Sequence, residues 1–93
     1  MAAKFKRRIK REMSAEKPSI WIGKDGATNQ IADEISRQLD QKEIVKIKAL
    51  KTALRDEEAK TVAARIAQQT EATLIDVRGH TFVLYRRRKR KRN

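Results

Sequence analysis

Apolar positions recur along this chain in two rhythms, and each change of rhythm marks an element. Within residues 2–13, Phe5, Ile9 and Met13 return every fourth position in a stretch of good helix formers, which predicts a helix with one thin apolar stripe. Pro18 blocks continuation of that helix and biases Lys17 toward extended backbone. A short apolar run then predicts a first strand over residues 19–23. From position 27 or 28 to about 42, Ile31, Ile35 and Leu39 are spaced by four with Ala32 beside them, a second helix. Over residues 43–50, Val45, Ile47 and Ala49 alternate with Lys46 and Lys48, so a second strand turns its lysines away from the core. Ala59, Val62, Ala63, Ile66 and Ala67 trace another helical stripe to about Thr70, and Asp56-Glu57-Glu58 put negative charge where that helix begins. Residues 72–78 and 81–86 read as two strands joined by a Gly79-His80 hairpin link. No internal repeat is visible.

The predicted order is helix, then β-α-β-α-β-β. Strands alternating with helices and closed by a hairpin predict an α/β domain of two compact layers with a four-stranded mixed sheet. The division expected is a basic helix over residues 1–13 docked on the domain, the domain itself over 14–87, and a disordered basic tail over 88–93.

Charge sharpens this picture. The 93 residues carry a net charge of +12. Six basic residues and no acid lie within positions 1–11 (Lys4, Lys6, Arg7, Arg8, Lys10 and Arg11), and seven consecutive basics, Arg86-Arg87-Arg88-Lys89-Arg90-Lys91-Arg92, stand near the end. Removing these thirteen from the 24 basic residues leaves 11 against 12 acids, so the ends hold the whole excess. Blocks of like charge repel themselves and favour a polyanion as partner, nucleic acid foremost, because clustered Lys and Arg release its counterions. No apolar run approaches the ~20 residues that span a bilayer, and no signal-peptide core follows the basic start. The absence of cysteine excludes disulfides and thiolate metal sites and fits a cytoplasmic location.

The candidate chemistry gathers after the first strand. Ile22-Gly23-Lys24-Asp25-Gly26-Ala27-Thr28 sets two glycines around a lysine and an aspartate immediately before a helix. Glycine lets backbone N–H groups approach a large ligand, the helix directs its free N–H groups the same way, and Lys24 adds a mobile charge. The same four residues also serve as a plain strand-to-helix turn. Asp25 opposes phosphate if it faces the ligand, and is expected instead to turn back to a backbone N–H near the helix start.

Three stretches together resemble the CRM family (chloroplast RNA splicing and ribosome maturation) in its stand-alone YhbY-like form. They are the loop just quoted, Glu43-Ile44-Val45-Lys46-Ile47-Lys48, and Gly79-His80-Thr81-Phe82-Val83-Leu84-Tyr85-Arg86, in the family's order and over about residues 15–87. The resemblance implies an RNA-binding α/β domain similar to the C-terminal domain of translation initiation factor three. It also implies ribosomal RNA or a pre-ribosomal particle as partner. Glu71 departs from a glycine that bacterial relatives often carry where the last helix ends. KH domains clamp the nucleotide backbone with a GxxG loop, and the same use is expected of Gly23, Lys24, Asp25, Gly26 and Thr28. Lys46, Lys48 and Arg78 either extend a basic track over the sheet or are solvated strand residues. Arg7, Arg8, Lys10 and Arg11, together with residues 86–92, complete the candidate RNA surface.

The four aromatics, Phe5, Trp21, Phe82 and Tyr85, are scattered as core residues are, although Trp21 alternates away from Ile20 and Ile22. His80 is the one histidine, sits in the hairpin and has no nucleophile or ligand cluster beside it, so no catalysis, cofactor or small-molecule substrate is expected. A small architectural DNA-binding protein of the Alba type shares the size, basicity and element order. A protein-binding module tethered by its tail is the third reading.

Overall fold

The computed structural model describes residues 3–54 and 57–87. In chain order these form α1 (Ala3–Met13), β1 (Ile20–Ile22), α2 (Asn29–Lys42), β2 (Ile44–Ala49), the single turn α3 (Lys51–Leu54), α4 (Ala59–Gln69), β3 (Thr73–Arg78) and β4 (Thr81–Tyr85). The expected order is present. Only α3 is added, and four residues are too few to display a helical period.

The strands lie in the order β1-β2-β4-β3. β1 is parallel to β2, whereas β4 is antiparallel to both β2 and β3. α2 therefore crosses between neighbouring strands, and α4 carries the chain past a vacant position that β4 fills by the hairpin return. Strand alternation decides the two faces. Ile20, Ile22, Val45, Ile47, Ala49, Phe82 and Leu84 pack against Ile35 and Leu39 of α2 and Val62, Ala63 and Ile66 of α4, forming the main core. A register shift between Leu74 and Asp76 lets Leu74 and Val77 face that core while Ile75 turns to the other side.

On that other side α1 crosses the sheet. Ile9 is buried against Ile75 and Val83, with Phe5, Met13, Ile44 and Tyr85 around them. The Phe5 and Tyr85 rings meet edge to face at 5.1 Å. The thin stripe of α1 leaves part of this face uncovered, where Trp21 and Lys48 are exposed.

Helix ends use side chains and unusual backbone. Thr28 caps α2 by accepting from the Ile31 N–H at 3.2 Å, so Thr28 and not Asp25 performs the capping. α4 ends with the Ala72 N–H on the Ala67 carbonyl and the Glu71 N–H on that of Gln68, the paired bonds of a Schellman ending. Glu71 holds φ +55°, a left-handed conformation that costs a side-chain-bearing residue roughly 1–2 kcal/mol. The departure noted at Glu71 thus lies where the backbone itself favours glycine.

Candidate nucleic-acid interface

β1 and β2 end, and the β3–β4 hairpin turns, at one edge of the sheet. The 23–28 loop, the 50–58 connection and Gly79-His80 therefore share that edge. Leu50 N–H donates to the Ile22 carbonyl at 2.9 Å and Ala49 N–H to that of His80 at 2.8 Å, tying the three segments together.

The loop is a tight turn in which the Gly26 N–H donates to the Gly23 carbonyl at 2.9 Å. Its two glycines have different reasons. Gly26 adopts φ +76°, so the turn itself requires it, even though a Cβ there would make only an ordinary 3.7 Å contact with the Ala53 carbonyl. Gly23 has no positive φ, and a Cβ on it would meet nothing within 4 Å. The fold leaves Gly23 free to be alanine. Lys24 and Asp25 are exposed. Beside them the loop and the first turns of α2 enclose an open hollow of about 270 Å³, lined also by Gln30, Glu34 and Arg37. Glu34 accepts from Arg37 at 2.6 Å and more weakly from Gln38. The Arg37 bond first, then Gln38, lowers its carboxyl below the ordinary carboxylate range. Glu34 and Arg37 thus pair with each other, and Lys24 is the cation of the hollow without a partner among the described residues.

The remaining candidates divide by what already holds them. Lys46 of the expected basic track already has partners: its Nζ donates to the Met13 and Glu16 carbonyls, both at 2.7 Å, where it closes the C-terminal end of α1. Arg86 is held more extensively still. Nη1 donates to Ser36 Oγ at 3.0 Å and the Thr70 carbonyl at 2.7 Å, while Nη2 donates to the Ser36 carbonyl at 2.8 Å and Asp40 Oδ1 at 2.7 Å. With its side chain 20% exposed, Arg86 clamps the end of β4 to α2 and to the end of α4. Arg87 is exposed, and Arg88, Lys89, Arg90, Lys91 and Arg92 lie outside the described residues.

Lys48 is exposed without a partner among the described residues, and Arg78 uses its Nε on Asp76 at 3.0 Å. On α1, Arg8 pairs with Glu12 at 3.1 Å and Lys10 reaches Asp76 at 4.0 Å, whereas the Arg7 and Arg11 side chains stand exposed. Sequence reasoning passed over Arg37 and Gln30. Their signal was helical spacing from the loop, since positions 30, 34 and 37 share a face of α2. Among the described residues no group of three or more His, Cys, Asp or Glu lies together, and no helix is long and apolar enough to cross a membrane.

Comparison with known proteins bears on the family and the fold. The probable RNA-binding protein MJ0652 of Methanocaldococcus jannaschii is 31% identical over 88 residues, which is 95% of this chain, and the chain spans 65% of that relative's length. The probable RNA-binding protein YqeI of Bacillus subtilis is 25% identical, covering 96% of this chain and 91% of its own. The solution structure of SAV1595 from Staphylococcus aureus, described as a candidate RNA-binding protein, superposes with a TM-score of 0.75 at 27% identity over all of this chain and 93% of that one. All three are described as probable or candidate RNA-binding proteins, not as enzymes. The profile of the CRS1 / YhbY (CRM) domain matches residues 1–86, and the chain belongs to that family.

Proposed function

We propose that this chain is an RNA-binding protein that holds the phosphodiester backbone at the 23–26 loop and acts as an accessory factor in ribosome assembly or on pre-ribosomal RNA in the cytoplasm. The observation that carries the reading is Gly23, a glycine that neither φ nor packing demands, in a loop beside an exposed lysine and a helix start. A ligand that must come close to the backbone supplies the missing reason. The charge excess at the chain ends suits the same polyanion, and the named relatives are described as probable RNA-binding proteins. Backbone and lysine contacts of this kind position a nucleic acid without reading its sequence.

Competition between a structured ribosomal RNA fragment and duplex DNA of equal length, at one salt concentration, tests the reading. RNA should win, and Lys24→Asp should weaken RNA binding with an unchanged circular dichroism spectrum. Equal competition by duplex DNA would favour the architectural DNA-binding alternative. Sedimentation of the native protein with ribosomal precursor particles tests the assembly role.

A further inference from the structure

Trp21 is the largest exposed apolar side chain among the described residues, at 61% of its surface, and it is the only tryptophan of the chain. A single exposed apolar residue is ordinary on its own. Its neighbours are not. Trp21 pairs in register with Lys48 on β2, Lys48 with Thr81 on β4, and Thr81 with Arg78 on β3. Cross-strand partners project to the same side of a sheet, so these four side chains form one row across all four strands. The row lies on the face that α1 half covers, just past the end of α1, where Lys46 closes the helix. Next to it a cleft of about 180 Å³ opens between Lys10, Met13 and Ser14 on one side and Arg78 and Thr81 on the other.

Each member of the row has capacity to spare. Lys48 is exposed and unpaired among the described residues, and Arg78 commits its Nε to Asp76 while its side chain remains 69% exposed. The row spans three strand spacings, about 14 Å. An aromatic plane at one end, a hydroxyl inside and two cations along the way match the chemistry of an unpaired nucleotide, whose base stacks and whose phosphates need neutralising. A protein partner would find the unpaired Lys48 and the exposed remainder of the Arg78 guanidinium beside its apolar contact, which costs it more than it costs a polyanion.

From this row we infer that the open half of the sheet face is a second nucleic-acid site, at which an unpaired base of single-stranded RNA stacks on Trp21 while its flanking phosphates lie over Lys48 and Arg78. This rests on the RNA-binding reading above and adds to it a preference for single-stranded segments. The 23–26 loop takes backbone, and the sheet row takes a splayed base.

Because Trp21 is the only tryptophan, its fluorescence reports the site directly. Hexa-adenylate titrated into the full chain should quench it, and a twelve-base-pair RNA duplex should quench it far less. Trp21→Ala should weaken hexa-adenylate binding about tenfold, Trp21→Phe should recover most of that loss, and Lys48→Ala should lower the salt slope of binding by ~0.7. Wild-type affinity in Trp21→Ala, or a Trp21→Phe variant no better than Trp21→Ala, would overturn the stacking site. In that case Lys24→Asp still weakening structured-RNA binding leaves the loop reading standing. Absence of any RNA binding by the native chain would remove both.

Discussion

Gly23 and Gly26 look alike in sequence and are held by different forces. At Gly26 any side chain is strained, because φ is +76°. At Gly23 nothing opposes a Cβ, and alanine would lower the entropy of the unfolded chain. Gly23→Ala should therefore leave stability unchanged or raise it by about 0.4–1 kcal/mol, while reducing affinity for structured RNA severalfold. Urea titration and a binding isotherm on the same preparation check both halves. Full affinity in a stable variant would return Gly23 to the role of a plain turn residue. The loop's sequence announced its position and its two glycines, yet only the backbone angles separate the glycine the turn needs from the one it does not. The same holds for Glu71. Its presence in place of a glycine was legible, but not that it sits at φ +55°.

At the scale of elements, period alone found every strand and the three long helices, because each buries one face and repeats its apolar residues at 2.0 or 3.6 positions. What it could not find are contacts across the chain. Lys46 reaches carbonyls 30 and 33 residues away, and Arg86 reaches Ser36 and Asp40, 50 and 46 residues away. Both were counted as interface because a cation in a strand or at the start of a basic run gives no local sign of its partner. Arg86 in particular joins three elements through donors that are mostly shielded from water. Its bonds to a carboxylate and to two carbonyls are charge-assisted, and removing one partner strands the others. Arg86→Ala should destabilise the domain by about 2–4 kcal/mol, read as a lower urea midpoint at an unchanged m-value. Arg87→Ala, one residue on and exposed, should change it by less than about 0.5 kcal/mol. Similar losses in the two variants would mean that the clamp contributes nothing beyond the general charge of the segment.

Over the whole molecule, charge and geometry are set apart. Arg86 leaves β4 beside Glu43, since its N–H donates to the Glu43 carbonyl at 2.9 Å, and this is the sheet edge opposite the 23–28 loop. The length of β2, about 20 Å, separates the two. If residues 88–92 and Lys24 engage different phosphates of one RNA, as the proposed function implies, their contributions should add. Deleting residues 88–93 while keeping Arg86 and Arg87 preserves the clamp and removes five positive charges. If every one met a phosphate, the log–log salt slope of single-stranded RNA binding would flatten by ~3.5 units, at ~0.7 per contact. Contacts shared with solvent reduce this, and a change of about two units is expected. Lys24→Asp should lower affinity with a slope change of ~1, and the combined variant should show the sum of the two. Affinity measured against salt for these three variants and the native chain decides the matter. An unchanged slope after the deletion would assign residues 88–92 to protein contacts on a ribosomal particle. The RNA path would then run over the loop, the sheet row and the basic face of α1, where Arg7 and Arg11 stand exposed.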